Sequence, residues 1–139
     1  MRVLRKRSGH SAIEFALIMP VFLTVITGMM EWGWVFFQRS TVVEAVRTGC
    51  REGASVHPDD VPGPVETAEE SMEDYLDSYG IQCGEGSGTS CESDVQITGE
   101  WPSMTLSCNL VVGYDPLIDL VPVPTEMFAA SIMLVEQKQ

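Results

Sequence analysis

The chain has 139 residues, with 20 acidic side chains against 8 basic ones and a formal net charge of -12. That balance lacks the basic footprint that phosphate backbones demand, so nucleic acid is excluded as a partner. The length allows one small domain beside a membrane segment.

The charges are segregated. Arg2, Arg5, Lys6 and Arg7 precede Gly9 and no acid does. From Ala12 an apolar run holds to Phe37, interrupted by Glu14 and Glu31. About 20 apolar residues cross a bilayer core at ~1.5 Å rise per residue, so this run predicts a transmembrane helix with length to spare. Basic residues beside a span stay cytoplasmic, which places the N-terminus inside and the acidic bulk outside. An ordinary secretory signal has an apolar core of about 7–15 residues ending at a small-residue site, whereas this run is longer and contains Glu14 and Pro20. A lipoprotein signal needs an apolar residue three before its cysteine, and Arg47 stands there ahead of Cys50.

Within the span, Pro20 removes one backbone donor and predicts a kink. Thr24, Thr27 and Gly28 are small or hydroxylated positions that let helices approach closely. Trp32, Trp34, Phe36 and Phe37 read as an interfacial belt. Glu31 beside them fits headgroup level or a packing role. Beyond the belt, Val42, Val43, Val46, Gly49, Cys50 and Gly53 recur at three- and four-residue steps, so the helix is expected to continue and to stop near Gly53. From His10 to Gly53 it would be ~65 Å long.

Ser55 to Pro64 is a proline-rich loop. Its His57, Asp59 and Asp60 read as solvated surface rather than a metal site. Val65 to Tyr79 predicts a second helix, with Pro64 at its first position and Gly80 at its end. Val65, Ala68, Met72, Tyr75, Leu76 and Tyr79 form its apolar stripe, and acids crowd the other faces without the ligand order of a calcium loop. The Gly84, Gly86 and Gly88 spacing between Cys83 and Cys91 lacks the lysine and the strand-to-helix context of a phosphate loop.

Asp94 to Gly99 reads as a short strand and Met104 to Val112 as a well-alternating one. Asp115 to Pro124 is a loop carrying Leu117, Ile118, Leu120 and Val121. Phe128 to Val135 is apolar on both faces and is expected to be a central strand. The fold class is therefore α+β: a long N-terminal helix, one further helix and a two- to three-stranded antiparallel sheet. The expected divisions are a basic leader at 1–9, a transmembrane helix at 10–37, a helix extension at 38–54 and a head at 55–139. Four cysteines in an exported chain indicate disulfides rather than zinc. Proximity favours Cys83 with Cys91, leaving Cys50 with Cys108, although three pairings are open.

Gly9, then His10-Ser-Ala-Ile, then Glu14, set between basic residues and an apolar helix, resembles the class III signal of type IV pilin-like proteins. Alone, Ser11 to Glu14 also fits a capping box at a helix start, and the two readings are compatible. The Glu14-Phe15 pair resembles that of the Flp, or Tad, branch. Pro20-Val-Phe-Leu, Gly28-Met-Met-Glu31-Trp-Gly, the Arg51-Glu-Gly-Ala element and the closing Met133-Leu-Val-Glu136 resemble the TadE-like family. The resemblance implies a minor pilin or pseudopilin of a Tad type IVb pilus, cut by a prepilin peptidase between Gly9 and His10. It also implies assembly or helix pairing through Glu14, Phe15, Pro20 and Glu31. The implied partners are the peptidase, other pilin subunits, the inner-membrane assembly machinery and the membrane, with the head in the periplasm or on the pilus. No catalytic constellation is visible, since His10 and His57 lie on opposite sides of the span, so neither an enzyme nor a cofactor is expected. The alternative is an uncleaved, membrane-anchored periplasmic binding protein with an acidic head.

Overall fold

The structure, a computed structural model, describes residues 9–83 (side chains from residue 11), 89–100, 103–114, 116 and 122–135. The leader residues Arg2, Arg5, Lys6 and Arg7 lie outside these, as do Gly84, Gly86 and Gly88, Leu117, Ile118, Leu120 and Val121, and Glu136.

Helix α1 runs unbroken over Gly9–Ser55, with Pro20 inside it. Hydroxyls near the proline turn back onto the backbone: Thr24 Oγ1 donates to the Pro20 carbonyl at 2.8 Å and Thr27 Oγ1 to that of Leu23 at 2.9 Å. A hydroxyl bonded to its own helix has no need of water, which suits an apolar setting. Gly53 does not end the helix, as its sequence position led one to expect. It is buried at a helix crossing, and the last turn continues to Ser55.

Helix α2 covers Pro64–Ser78, with Pro64 in its first turn after Gly63. Gly80 adopts φ 79° beyond its end. There the Gly80 N–H donates to Asp77 O at 2.9 Å and the Ile81 N–H to Leu76 O at 3.0 Å. These two bonds, with Leu76 and Ile81 both buried, make a Schellman stop. The buried stripe of Ala68, Met72 and Leu76 packs on α1.

Three strands follow: β1 (Cys91–Thr98), β2 (Thr105–Gly113) and β3 (Glu126–Leu134), an antiparallel meander in the order β1-β2-β3. Strand β1 starts earlier than its apolar pattern indicated, because Cys91 already pairs with Val112. On β2, Leu106, Cys108, Leu110 and Val112 turn inward and join Val42, Val46 and Cys50 of α1 in the main core. The central strand is β2. Strand β3 is an edge, against the expectation from its two apolar faces. Met127 and Ala129 are buried, while Phe128, Ile132 and Leu134 stand exposed on its outer side. An apolar outer face on a strand is invisible to a rule that equates apolar with buried.

Strand β3 runs in the same direction as α1. Met127 packs with Val35 near its start, the Ser131 carbonyl lies 3.7 Å from Cys50 Sγ, and Val135 shares a groove with Ala54. The head therefore lies alongside the upper half of α1, with its Tyr114–Met127 end toward the apolar half.

Candidate functional site

Burial divides α1 at Glu31. From Ser11 to Val25 every side chain is exposed, and Met29 and Met30 are 70% and 61% exposed. From Glu31 onward one face is buried against the head, through Val35, Val42, Ala45, Val46 and Cys50. The described apolar stretch is long and apolar enough to cross a membrane, and its most apolar part is not buried against the rest of the protein. A surface this large, continuous and apolar marks a membrane or protein contact. Glu14, Phe15 and Pro20 lie on this bare part. Glu14 and Glu31 are 17 positions apart on one helix, ~25 Å along its axis, so the two carboxylates serve separate places.

Glu31 is not simply bathed in headgroups. It is 1% exposed, and its Oε1 accepts a hydrogen bond from the Tyr114 hydroxyl at 3.1 Å. Tyr114 follows β2, and its ring joins Val35, Met127 and Val123 in a small apolar cluster. Its backbone N–H donates to Thr125 O at 2.8 Å, closing the base of the β2–β3 connection. This contact escaped the sequence reading. The signal was present in the cysteine register, because Cys50 bonds Cys108. Six strand residues from Cys108 to Tyr114 span ~20 Å. Adding the reach of a tyrosine matches most of the ~28 Å that separate Cys50 from Glu31 on a helix.

Removing the hydroxyl by Tyr114→Phe leaves a buried carboxylate short of a donor, an expected loss of about 1–3 kcal/mol. Thermal unfolding of the full chain in detergent should show a lower Tm for Tyr114→Phe. An unchanged Tm would mean that this bond carries no weight.

Just above Glu31 the aromatic residues gather. Trp34 stacks on Phe37 with centroids 5.5 Å apart, Phe37 meets Tyr79 edge-on at 6.3 Å, and Tyr79 lies 5.1 Å from Tyr75. The belt is thus shared between α1 and the end of α2. A side-chain hydrogen bond with Tyr79 raises the Tyr75 phenol above its ordinary 10.0, with burial and the charges of Tyr79 and Glu44 adding to it.

The cysteines form two disulfides, Cys50–Cys108 and Cys83–Cys91, and no described cysteine is free. Among the described residues no group of three or more His, Cys, Asp or Glu is placed to hold a metal. His57 Nδ1 lies 3.6 Å from Asp59 at the surface.

A bare apolar helix that emerges into a small disulfide-stapled α+β head defines a protein with one candidate membrane-spanning helix and a small folded head. The family comparison narrows this: residues 9–51 match the family described as TadE-like protein. The matched stretch is nearly all of α1, including Glu14, Glu31 and the start of the Cys50 staple. No curated protein and no solved structure matches the chain. The match covers the long helix and leaves the second helix and the sheet outside it.

Proposed function

We propose that this chain is a minor pilin, or pseudopilin, that takes part in assembly of a Tad (Flp) type IVb pilus. A prepilin peptidase cuts it between Gly9 and His10. The mature helix then bundles with those of other subunits, and the head is held on the periplasmic side. The observation that carries this reading is the division of α1. Below Glu31 the helix is bare and apolar, with one carboxylate, Glu14, near its start. A permanent anchor needs the apolar length but not the carboxylate. In a low-dielectric bundle a carboxylate is tolerable beside an ammonium partner, and the new amine at His10 of a neighbouring subunit supplies one.

In this proposal the membrane segment is the early part of α1, leaving the bilayer between Glu31 and Phe37. Residues 38–54 are its extension and 55–139 the head.

N-terminal sequencing of the protein from its host's membranes tests the first step. A mature start at His10, lost on Gly9→Leu, is the expected result. The Glu14→Ala variant should still be cut, yet its recovery with other pilin subunits should fall at least tenfold. A chain that still begins at Met1 would overturn the proposal in favour of an uncleaved, anchored binding protein. A start near residue 50 would make the apolar run a secretory signal.

A further inference from the structure

Above Glu31, helices α1 and α2 carry exposed surfaces of opposite dominant charge. On α1, Arg39, Arg47 and Arg51 are the basic residues of the described chain, and all three are exposed. They follow one another at steps of eight and four along the helix. A shallow groove of about 350 Å³ on the uncovered side of α1 is lined by Phe36, Arg39, Ser40, Val43 and Glu44, and Arg47 and Arg51 follow further along the helix. Arg47 pairs with Glu44 of its own helix at 3.2 Å, while Arg39 and Arg51 make no ion pair among the described residues.

On α2 the outer surface carries Glu66, Glu69, Glu70, Glu73, Asp74 and Asp77, opposite the buried stripe. None of these makes an ion pair among the described residues. Acids three and four apart on a helix repel one another, so the free head carries an electrostatic burden that an opposite surface would relieve.

We propose that the arginine face of α1 docks the acidic face of α2 from a second copy of this chain. The heights agree. Helix α2 runs antiparallel to α1: Gly53 abuts Pro64 and Ala68, Gly49 abuts Ala68 and Met72, and Phe37 meets Tyr79. Glu66 and Glu69 therefore lie level with Arg51, Glu70 and Glu73 with Arg47, and Asp77 with Arg39, each within about one helical turn of 5.4 Å. Two copies anchored side by side in one membrane, standing at equal height, bring these groups together without tilting either head. The contact uses a different patch on each copy, so it is heterologous, and repetition gives a ring or a helical row. Single exposed ion pairs contribute little. The association needs several in register, and it gains from the high effective concentration of co-anchored chains. The inference rests on the anchored, parallel arrangement proposed above.

The test uses the full chain in its host's membranes, as two differently tagged copies, with a photoactivatable phenylalanine analogue at Ser40. Illumination should give a dimer in which residue 40 is joined to a peptide of α2. The reversal Arg39→Glu/Arg47→Glu/Arg51→Glu should cut the yield at least tenfold. Pairing that variant with a copy carrying Glu70→Lys/Glu73→Lys/Asp77→Lys should restore it. Raising the salt should lower the yield of the unmodified pair.

Absence of a dimer, a link to another protein, or a yield indifferent to charge reversal would each overturn the docking. Non-reducing gels and protease resistance establish that each variant head is folded. N-terminal sequencing of the same samples separates the two ideas. A start at His10 without the cross-link sinks the self-docking alone, whereas a start at Met1 sinks the pilin reading.

Discussion

Replacing Cys50 or Cys108 by serine is expected to lower stability by about 4 kcal/mol, against about 2.5 kcal/mol for Cys83 or Cys91, on the chain-entropy dependence on loop length. The first bridge closes a separation of 58 residues and the second one of 8. Position adds to the contrast. Cys50 and Cys108 are both fully buried and join α1 to the central strand, inside the cluster that also holds Val46, Leu106 and Leu110. Serine there leaves a hydroxyl in an apolar site, whereas Cys83 and Cys91 lie at the rim of the core. The head is small, and such cores need staples. Without Cys50–Cys108, what ties the sheet to α1 is the apolar packing, helped at the lower end by the Glu31–Tyr114 bond. Denaturant unfolding of the full chain in detergent should place the Cys50→Ser variant well below Cys83→Ser. Equal midpoints, or the reverse order, would show that loop length does not govern this fold.

Most of the architecture could be read from the residues because each element states its own period. The stripe of Ala68, Met72 and Leu76, with Pro64 before it and Gly80 after it, gives α2 to within a residue. The alternation of Leu106, Cys108, Leu110 and Val112 gives β2. The errors came where a residue answers to something distant in sequence. Gly53 has the look of a helix stop, yet the reason for glycine there is the backbone of α2 passing beside it. Strand β3 is apolar on both faces, and only its packing on α1 through Met127 and Ala129 tells which face is covered and leaves Phe128, Ile132 and Leu134 bare. Glu31 is near the aromatic belt by count, but its partner lies 83 residues further on.

The same distinction applies to the site. Local sequence carried the bare helix, its basic flank and Glu14. What the sequence did not yield is how far down the helix the head reaches, because that depends on the staple and on the length of β2. The pairing of surfaces by height was equally hidden. It requires knowing that α2 is antiparallel to α1, and thus that Asp77 stands near the level of Arg39 rather than of Arg51.

The glycines of α1 offer a second large effect with its control built into the same helix. A methyl group on Gly53 would lie 2.7 Å from Ala68 Cβ and 3.0 Å from a Leu106 methyl, and nearer still to the Pro64 carbonyl oxygen. A methyl on Gly49 would lie 2.6 Å from the Ala68 carbonyl oxygen. Backbone atoms cannot rotate away as a side chain can, so α2 would have to move bodily off α1 and open the core around Met72 and Leu106. Overpacking of this kind costs about 1–3 kcal/mol and sometimes more, and Gly53→Val should sit at or above the upper end. Gly33 is exposed on the same helix with nothing within 4 Å of its would-be Cβ. There Gly33→Ala should be neutral or stabilising by up to about 1 kcal/mol, since alanine loses less backbone freedom in a helix. Unfolding midpoints of the two variants, measured on the full chain in the same detergent, should move in opposite directions or differ by at least the overpacking cost. If Gly53→Val melted with the unmodified chain, α1 and α2 could not be crossing at this distance. The matched heights on which the charge pairing depends would then fall with the crossing, which makes Gly53 the more informative substitution to measure.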